Sequence, residues 1–128
     1  MDLELKNKRV FISGSTKGIG FATAKTLAEE GAEVIINGRS QDSVQKALKK
    51  IKDEISDAKI TGFGCDFSNK EEINKLIEKL GDLDILINNV GIFGPKDFAE
   101  IPDEEWFEFY EVNVMSGVRL SRAFLPKM

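Results

Sequence analysis

The chain has 128 residues, 41% hydrophobic and 31% charged, with a formal net charge of −4 at pH 7. This balance predicts one globular domain with a real core, and it speaks against disorder and against a nucleic-acid or acidic-membrane partner. One cysteine and no histidine rule out a disulfide framework within the chain and argue against a zinc cluster, so no metal site is expected. General base chemistry would then fall to Tyr, Lys, Asp or Glu. The start, Met1-Asp2-Leu3-Glu4-Leu5-Lys6, carries charge where a signal peptide needs its apolar core. No apolar run is long enough to span a bilayer, so a cytoplasmic protein without membrane contact is expected.

In chain order, residues 9–13 predict a strand and 18–30 a helix, with Phe21, Ala24, Leu27 and Ala28 in its pattern and Gly31 to end it. Between them lies Ser13-Gly14-Ser15-Thr16-Lys17-Gly18-Ile19-Gly20. A glycine-rich turn joining a strand to a helix is a phosphate cradle, because free amides and the helix dipole both favour an anion there. Gly14 allows the tight turn, Gly18 lets backbone approach a pyrophosphate, and Gly20 lets the helix pack close to the sheet. Residues 33–37 predict a second strand, and 41–56 a helix striped by Val44, Ala47, Leu48, Ile51 and Ile55. A third strand is expected over 59–63. Ser68 then caps a helix reaching about Leu80, with Glu71 completing a capping box. A fourth strand covers 83–87, a loop 88–101, and one long helix runs from about Pro102 to the end. Strands alternating with helices imply a parallel sheet covered on both faces.

Four patterns stand in register: S-G-S-T-K-G-I-G, then C-D-F-S after the third strand, N-N-V-G after the fourth, and E-V-N-V-M in the last helix. Together they resemble the short-chain dehydrogenase/reductase family of NAD(P)-dependent oxidoreductases, along essentially the whole chain. The resemblance implies a Rossmann-like, doubly wound parallel sheet with its four strands in the order 3-2-1-4. It assigns Gly14, Thr16, Lys17, Gly18, Ile19 and Gly20 to the cofactor turn. Asp66, with Phe67 beside it, matches the acidic residue that accepts from the adenine amino group. Taken alone, Asp66 reads equally well as a turn residue. Asn88, Asn89, Val90 and Gly91 match a segment that braces the sheet end beside the ribose. Val90 stands where the family has Ala, and adds two methyl groups there. Asn113 matches an asparagine used in a proton relay; its plain alternatives are an exposed helix residue or one bonded to backbone.

The family's acid–base group is a Ser with Tyr-x-x-x-Lys, in which lysine lowers the tyrosine pKa. The only tyrosine here, Tyr110, has Val114 four residues on and fails the motif. Tyr110 with Trp106, Phe107 and Phe109 reads instead as a packing surface. The expectation is therefore the amino-terminal half of a larger enzyme, residues 1–128 forming its dinucleotide-binding domain, inactive by itself. Its fourth strand would be a sheet edge, an association hazard. A homo-oligomer through the last helix is expected. The whole enzyme would act on a small carbonyl or alcohol.

At the end of the second strand, NAD-specific members usually carry a carboxylate. Here the run is Asn37-Gly38-Arg39-Ser40. Two cations, Arg39 and Lys17, and no carboxylate suit the 2′-phosphate of NADP better than NAD. Two other readings stay open: a catalytically silent dinucleotide-binding or interaction module, and an epimerase of the extended branch. N-N-V-G followed by a short loop favours the dehydrogenase branch.

Overall fold

The structure, a computed structural model, describes residues 1–128. Four strands, β1 (Arg9–Ile12), β2 (Glu33–Gly38), β3 (Ile60–Gly64) and β4 (Ile85–Ile87), form one parallel sheet in the order β3-β2-β1-β4. The predicted order holds. Helices α1 (Gly18–Glu29), α2 (Gln41–Glu54) and α3 (Lys70–Leu80) make the crossovers. Every strand is therefore parallel to its neighbours, and each crossover helix must lie on a face of the sheet.

The strand sequences explain the layering. Successive side chains on a strand point to opposite faces. Val10 and Ile12 of β1, with Val34 and Ile36 of β2, enter one core under α1 and α2. Phe11 and Ile35, the residues between them, enter a second core with Ile73, Leu76 and Leu80 of α3. Both central strands are buried on both sides, so they read as continuous apolar runs.

Arg9 fastens the far end of this assembly. Its guanidinium donates to the carbonyls of Leu80 and Asp82, and its Nε lies 3.2 Å from Glu33 Oε1. A cation on the last carbonyl of α3 complements the helix dipole. The Arg9 amide donates to Asp84 Oδ2 at 2.8 Å, which sets the start of β4.

Two expected elements are corrected. The cap of α3 is Asn69, whose Oδ1 accepts from the amides of Glu71 and Glu72 at 3.0 and 3.3 Å. Ser68 is drawn away from that task by Asp66, and the Ser68–Glu71 capping box does not form. The long last helix is not uniform. It runs as α4 (Asp103–Tyr110), a π-helical turn (Glu111–Met115), α5 (Ser116–Phe124) and a closing 3₁₀ turn (Leu125–Lys127). Leu120 and Phe124 of α5 enter the second core. The loop before α4 holds a 3₁₀ turn, Phe98–Glu100, whose Phe98 meets Trp106 edge to face at 5.9 Å. No helix is long and apolar enough to cross a membrane.

Candidate dinucleotide site

The carboxyl ends of all four strands open into one cleft of about 730 Å³. In an open parallel sheet the crevice forms there, where connections leave in opposite directions. The chain after β1 enters it as the glycine turn. Gly14 and Gly18 both have φ of 62°, a left-handed conformation that side chains resist. A Cβ on Gly14 would stand 2.9 Å from Val90 Cα, so the turn and the segment after β4 touch through backbone. A Cβ on Gly18 would meet nothing within 4 Å, so that face is open to the cleft.

Three polar side chains hold the turn in place. The buried Ser13 hydroxyl accepts from the amides of Asn89 and Val90 at 2.9 and 3.0 Å. Asn37, 1% exposed, accepts the Gly14 amide on Oδ1 at 2.9 Å and donates from Nδ2 to Phe63 O at 3.1 Å. Asn89 Nδ2 donates to Gly14 O at 2.9 Å. Ser15 adds a reciprocal pair: its amide donates to Asn37 O and its hydroxyl accepts from Asn37 N. No buried side-chain polar atom is left without a partner. A Cβ at Gly20 would stand 2.4 Å from Gly14 O and 2.5 Å from Asn89 Nδ2, so only glycine lets α1 approach this closely.

The amino end of α1 remains free for a ligand. Its cap residue, Lys17, makes no side-chain capping bond, and no acidic residue lies in the first turn. The amides there keep their donor capacity and the dipole its positive end. Lys17 and Arg39 are exposed, line the cleft and enter no ion pair. Across from them Asp66 Oδ1 accepts from the Ser68 amide at 2.9 Å and the Ser68 hydroxyl at 2.7 Å. Those two bonds, with a smaller pull from Arg39, hold its carboxyl below the usual carboxylate range. Asp66 is thus a turn residue that also borders the cleft.

Thr16, Ile19, Val90 and Gly91 line the cleft as expected. Ile19 is 81% exposed, an apolar side chain held out beside the amides. Phe67 lines the cleft but is 3% exposed, because its ring belongs to the second core. The methyl groups of Val90 pack against that same core, so the departure from Ala is absorbed by packing. Gly20 and Asn113 lie outside the lining. Asn113 sits in the π-helical turn and clasps the backbone of Ile92. Its Oδ1 accepts the Ile92 amide at 2.6 Å and its Nδ2 donates to Ile92 O at 3.0 Å. Asn88 reaches outward to Ser121 Oγ at 3.1 Å. Cys65 is buried at the back of the cleft; burial, then the charges of Glu72 and Asp66, push its thiol up to about 12. It is no nucleophile at neutral pH.

The sequence reading passed over Asn37 and Ser15 as braces, and Ser43, Glu108 and Val112 as lining. Asn37 carried a signal: a lone amide ending the apolar run Val34-Ile35-Ile36 is buried and must find partners. Glu108 and Val112 come from the helix, about 90 residues after the turn they face, so no local pattern marks them.

Parallel strands in this order, with a glycine turn at the point where the order reverses, define a Rossmann-like α/β fold. The chain belongs to the short chain dehydrogenase family, whose model matches residues 8–128. YvrD of Bacillus subtilis (strain 168), described as an uncharacterized oxidoreductase, is 50% identical over 131 residues, spanning 100% of this chain and 49% of that protein. A 3alpha-hydroxysteroid dehydrogenase of Mediterraneibacter gnavus is 36% identical over 127 residues, 96% of this chain and 51% of its own. Among solved structures, L-sorbose reductase from Gluconobacter frateurii, complexed with NADPH and L-sorbose, superposes with a TM-score of 0.89 at 32% identity. That match covers 98% of this chain and 49% of the reductase. The chain thus spans about half the length of the curated relatives it matches.

The Asp66 turn gives a pH test. A carboxyl with a lowered folded pKa adds stability above the usual carboxylate range and loses it as pH falls through the folded value. Ser68→Ala deletes the hydroxyl bond and keeps the amide bond. Carboxyl NMR titration is expected to move the Asp66 midpoint up, still short of its ordinary value, and to narrow the acid side of the stability profile. An unmoved midpoint would mean the hydroxyl contributes nothing.

Proposed function

We propose that residues 1–128 form the dinucleotide-binding half of an NADP(H)-dependent oxidoreductase of alcohol or carbonyl substrates. The observation that carries this reading is the uncapped amino end of α1, open beside Gly18 and flanked by two unpaired cations. A pyrophosphate fits that donor set by charge and by hydrogen bonding. When bound, the nicotinamide supplies a hydride-transfer centre. The chain's own groups bind and orient. Gly14–Gly20 cradles the diphosphate, Thr16 and Ile19 border it, Asp66 receives the adenine amino group on its second oxygen, and Asn89, Val90 and Gly91 flank the ribose. Phe67 backs the adenine side from the core. Asn113 acts through the Ile92 backbone it holds, and the family's proton relay assigns it a further part. The NADPH in the L-sorbose reductase structure supports a nicotinamide dinucleotide.

NADP is favoured over NAD because Arg39 follows a β2 end that bears no carboxylate. Charge-assisted contacts to phosphate contribute about 1.5–3 kcal/mol, or about tenfold and more in affinity. Arg39→Ala is therefore expected to weaken NADP by that factor and leave NAD nearly unchanged. Lys17→Ala acts in the same direction but less, since an ammonium lacks the planar fork. Calorimetry with both cofactors checks this, and equal losses for the two would make Arg39 structural and remove the NADP assignment.

The acid–base group belongs to a part of the enzyme outside these residues, because Tyr110 has no lysine four residues on. Purified material of residues 1–128 is expected to turn over no alcohol or carbonyl with either cofactor. Measurable turnover would sink the division of labour proposed here.

The last helix is read as the contact with a second copy of this chain. Phe107, Tyr110, Val114 and Val118 are 73%, 57%, 43% and 40% exposed, and their spacing puts them on one stripe of α4–α5. Sedimentation is expected to find a dimer or higher species. Phe107→Lys with Val118→Lys should shift it to monomer, and an unchanged sedimentation coefficient would rule this surface out.

A further inference from the structure

The end of β2 is sealed against side chains. A Cβ at Gly38 would stand 2.5 Å from Thr16 Cγ2, 2.8 Å from Ser43 Oγ and 3.3 Å from Thr16 Oγ1. Carbon atoms pack at about 3.5–4.0 Å, so the nearest approach is too short by about an ångström. Neither neighbour yields freely. Thr16 is β-branched and stiff at χ1, and both of its outer atoms already flank the position. The Ser43 hydroxyl donates to Ser40 O at 2.9 Å and lies 3.2 Å from Ser40 Oγ. Ser40 Oγ in turn caps α2 by accepting the Ser43 amide at 3.2 Å. Turning the Ser43 hydroxyl away from position 38 would break its own bond to Ser40 O, while the amide cap does not depend on it. Position 38 is therefore the meeting point of the glycine turn, the sheet end and the first turn of α2.

We infer that Thr16 and Ser43 are specificity-determining residues. They fill the space that a side chain at position 38 would need, so the end of β2 cannot present a carboxylate to the adenosine ribose. Recognition at that end of the cleft is left to Arg39 and Lys17. The inference rests on the NADP reading above and adds a steric cause to it. Its consequence is that Gly38→Asp alone creates no NAD site. The carboxylate gains its place only when Thr16→Ser removes the nearest methyl and Ser43→Ala removes the hydroxyl.

Two readouts on residues 1–128 test this. The first is thermal unfolding without any cofactor. Gly38→Ala is expected to lower Tm by on the order of 5 °C, and to lower it clearly less when Thr16→Ser and Ser43→Ala are already present. Equal drops in both backgrounds overturn the inference. The second is calorimetry with NAD and NADP. The triple variant Gly38→Asp, Thr16→Ser, Ser43→Ala should bind NAD about tenfold tighter than Gly38→Asp alone. A single Gly38→Asp that binds NAD as well as the triple variant overturns it as well. Failure of the NADP reading has a different signature. A wild-type chain that prefers NAD, with the thermal coupling intact, removes that reading and leaves the exclusion at position 38 standing.

Discussion

The structure depends on one knot of hydrogen bonds at the carboxyl end of β1. Three strands each send one polar side chain or hydroxyl to it: Ser13 from the end of β1, Asn37 from β2 and Asn89 from beyond β4. Each such bond adds only about 1 kcal/mol net. Its weight lies in the alternative. A buried amide or hydroxyl without its partner costs about 1–3 kcal/mol, so the three strand ends and the turn keep their relative positions together. The close packing at Gly20 works in the same sense. With Gly14 O and Asn89 Nδ2 against it, α1 has one seat. The open amides of that helix are consequently fixed in the cleft before any ligand arrives, which removes ordering cost from binding.

Charge follows the same geography. The chain is acidic as a whole, yet the cleft presents two unpaired cations beside the end of β2. Cations placed at that rim favour an anion beside them, and do so less as salt rises. Asp66 and Glu108, which also line the cleft, carry the offsetting negative charge, and neither forms an ion pair with Lys17 or Arg39. One Asp66 oxygen is committed to Ser68, which favours the ionised carboxylate. Burial and the neighbouring carboxylates keep the Cys65 thiol behind it protonated at neutral pH.

What the sequence made legible were features carried by local chemistry. Glycines at fixed offsets after an apolar run, a paired asparagine after another, and β-branched runs between helical stripes each have a local physical cause. The apolar stripe of α2 and the alternation into two cores follow from period alone. Illegible features arose from competition or from distance. Asp66, Ser68 and Asn69 can all begin a helix, and sequence cannot rank them. Once Asp66 engages Ser68, the cap falls to Asn69. Phe67 reads as a pocket residue by its place in the motif, while its ring is core by the sheet's geometry. Gly38 reads as a missing carboxylate, and only the structure reveals that Thr16 and Ser43 crowd the place of a Cβ there.

The π-helical turn at Glu111–Met115 draws these threads together. A wider turn inside a helix shifts the phase of every residue after it, and such turns gather at functional sites. Here consecutive residues of one turn face three ways. Val112 is buried in the second core and borders the cleft, Asn113 holds the Ile92 backbone, and Val114 stands out among the exposed apolar residues. The Ser116 hydroxyl donates to Val112 O at 2.5 Å and satisfies a carbonyl inside the turn. The partly buried Glu111–Arg119 ion pair joins the start of the turn to α5. What the wider turn changes is the phase between α4 and α5, since a π-turn takes up more residues than the roughly 3.6 of a regular helix. The rim of the cleft and the apolar stripe are thus two faces of one irregular turn, and a change that regularises the turn must disturb both.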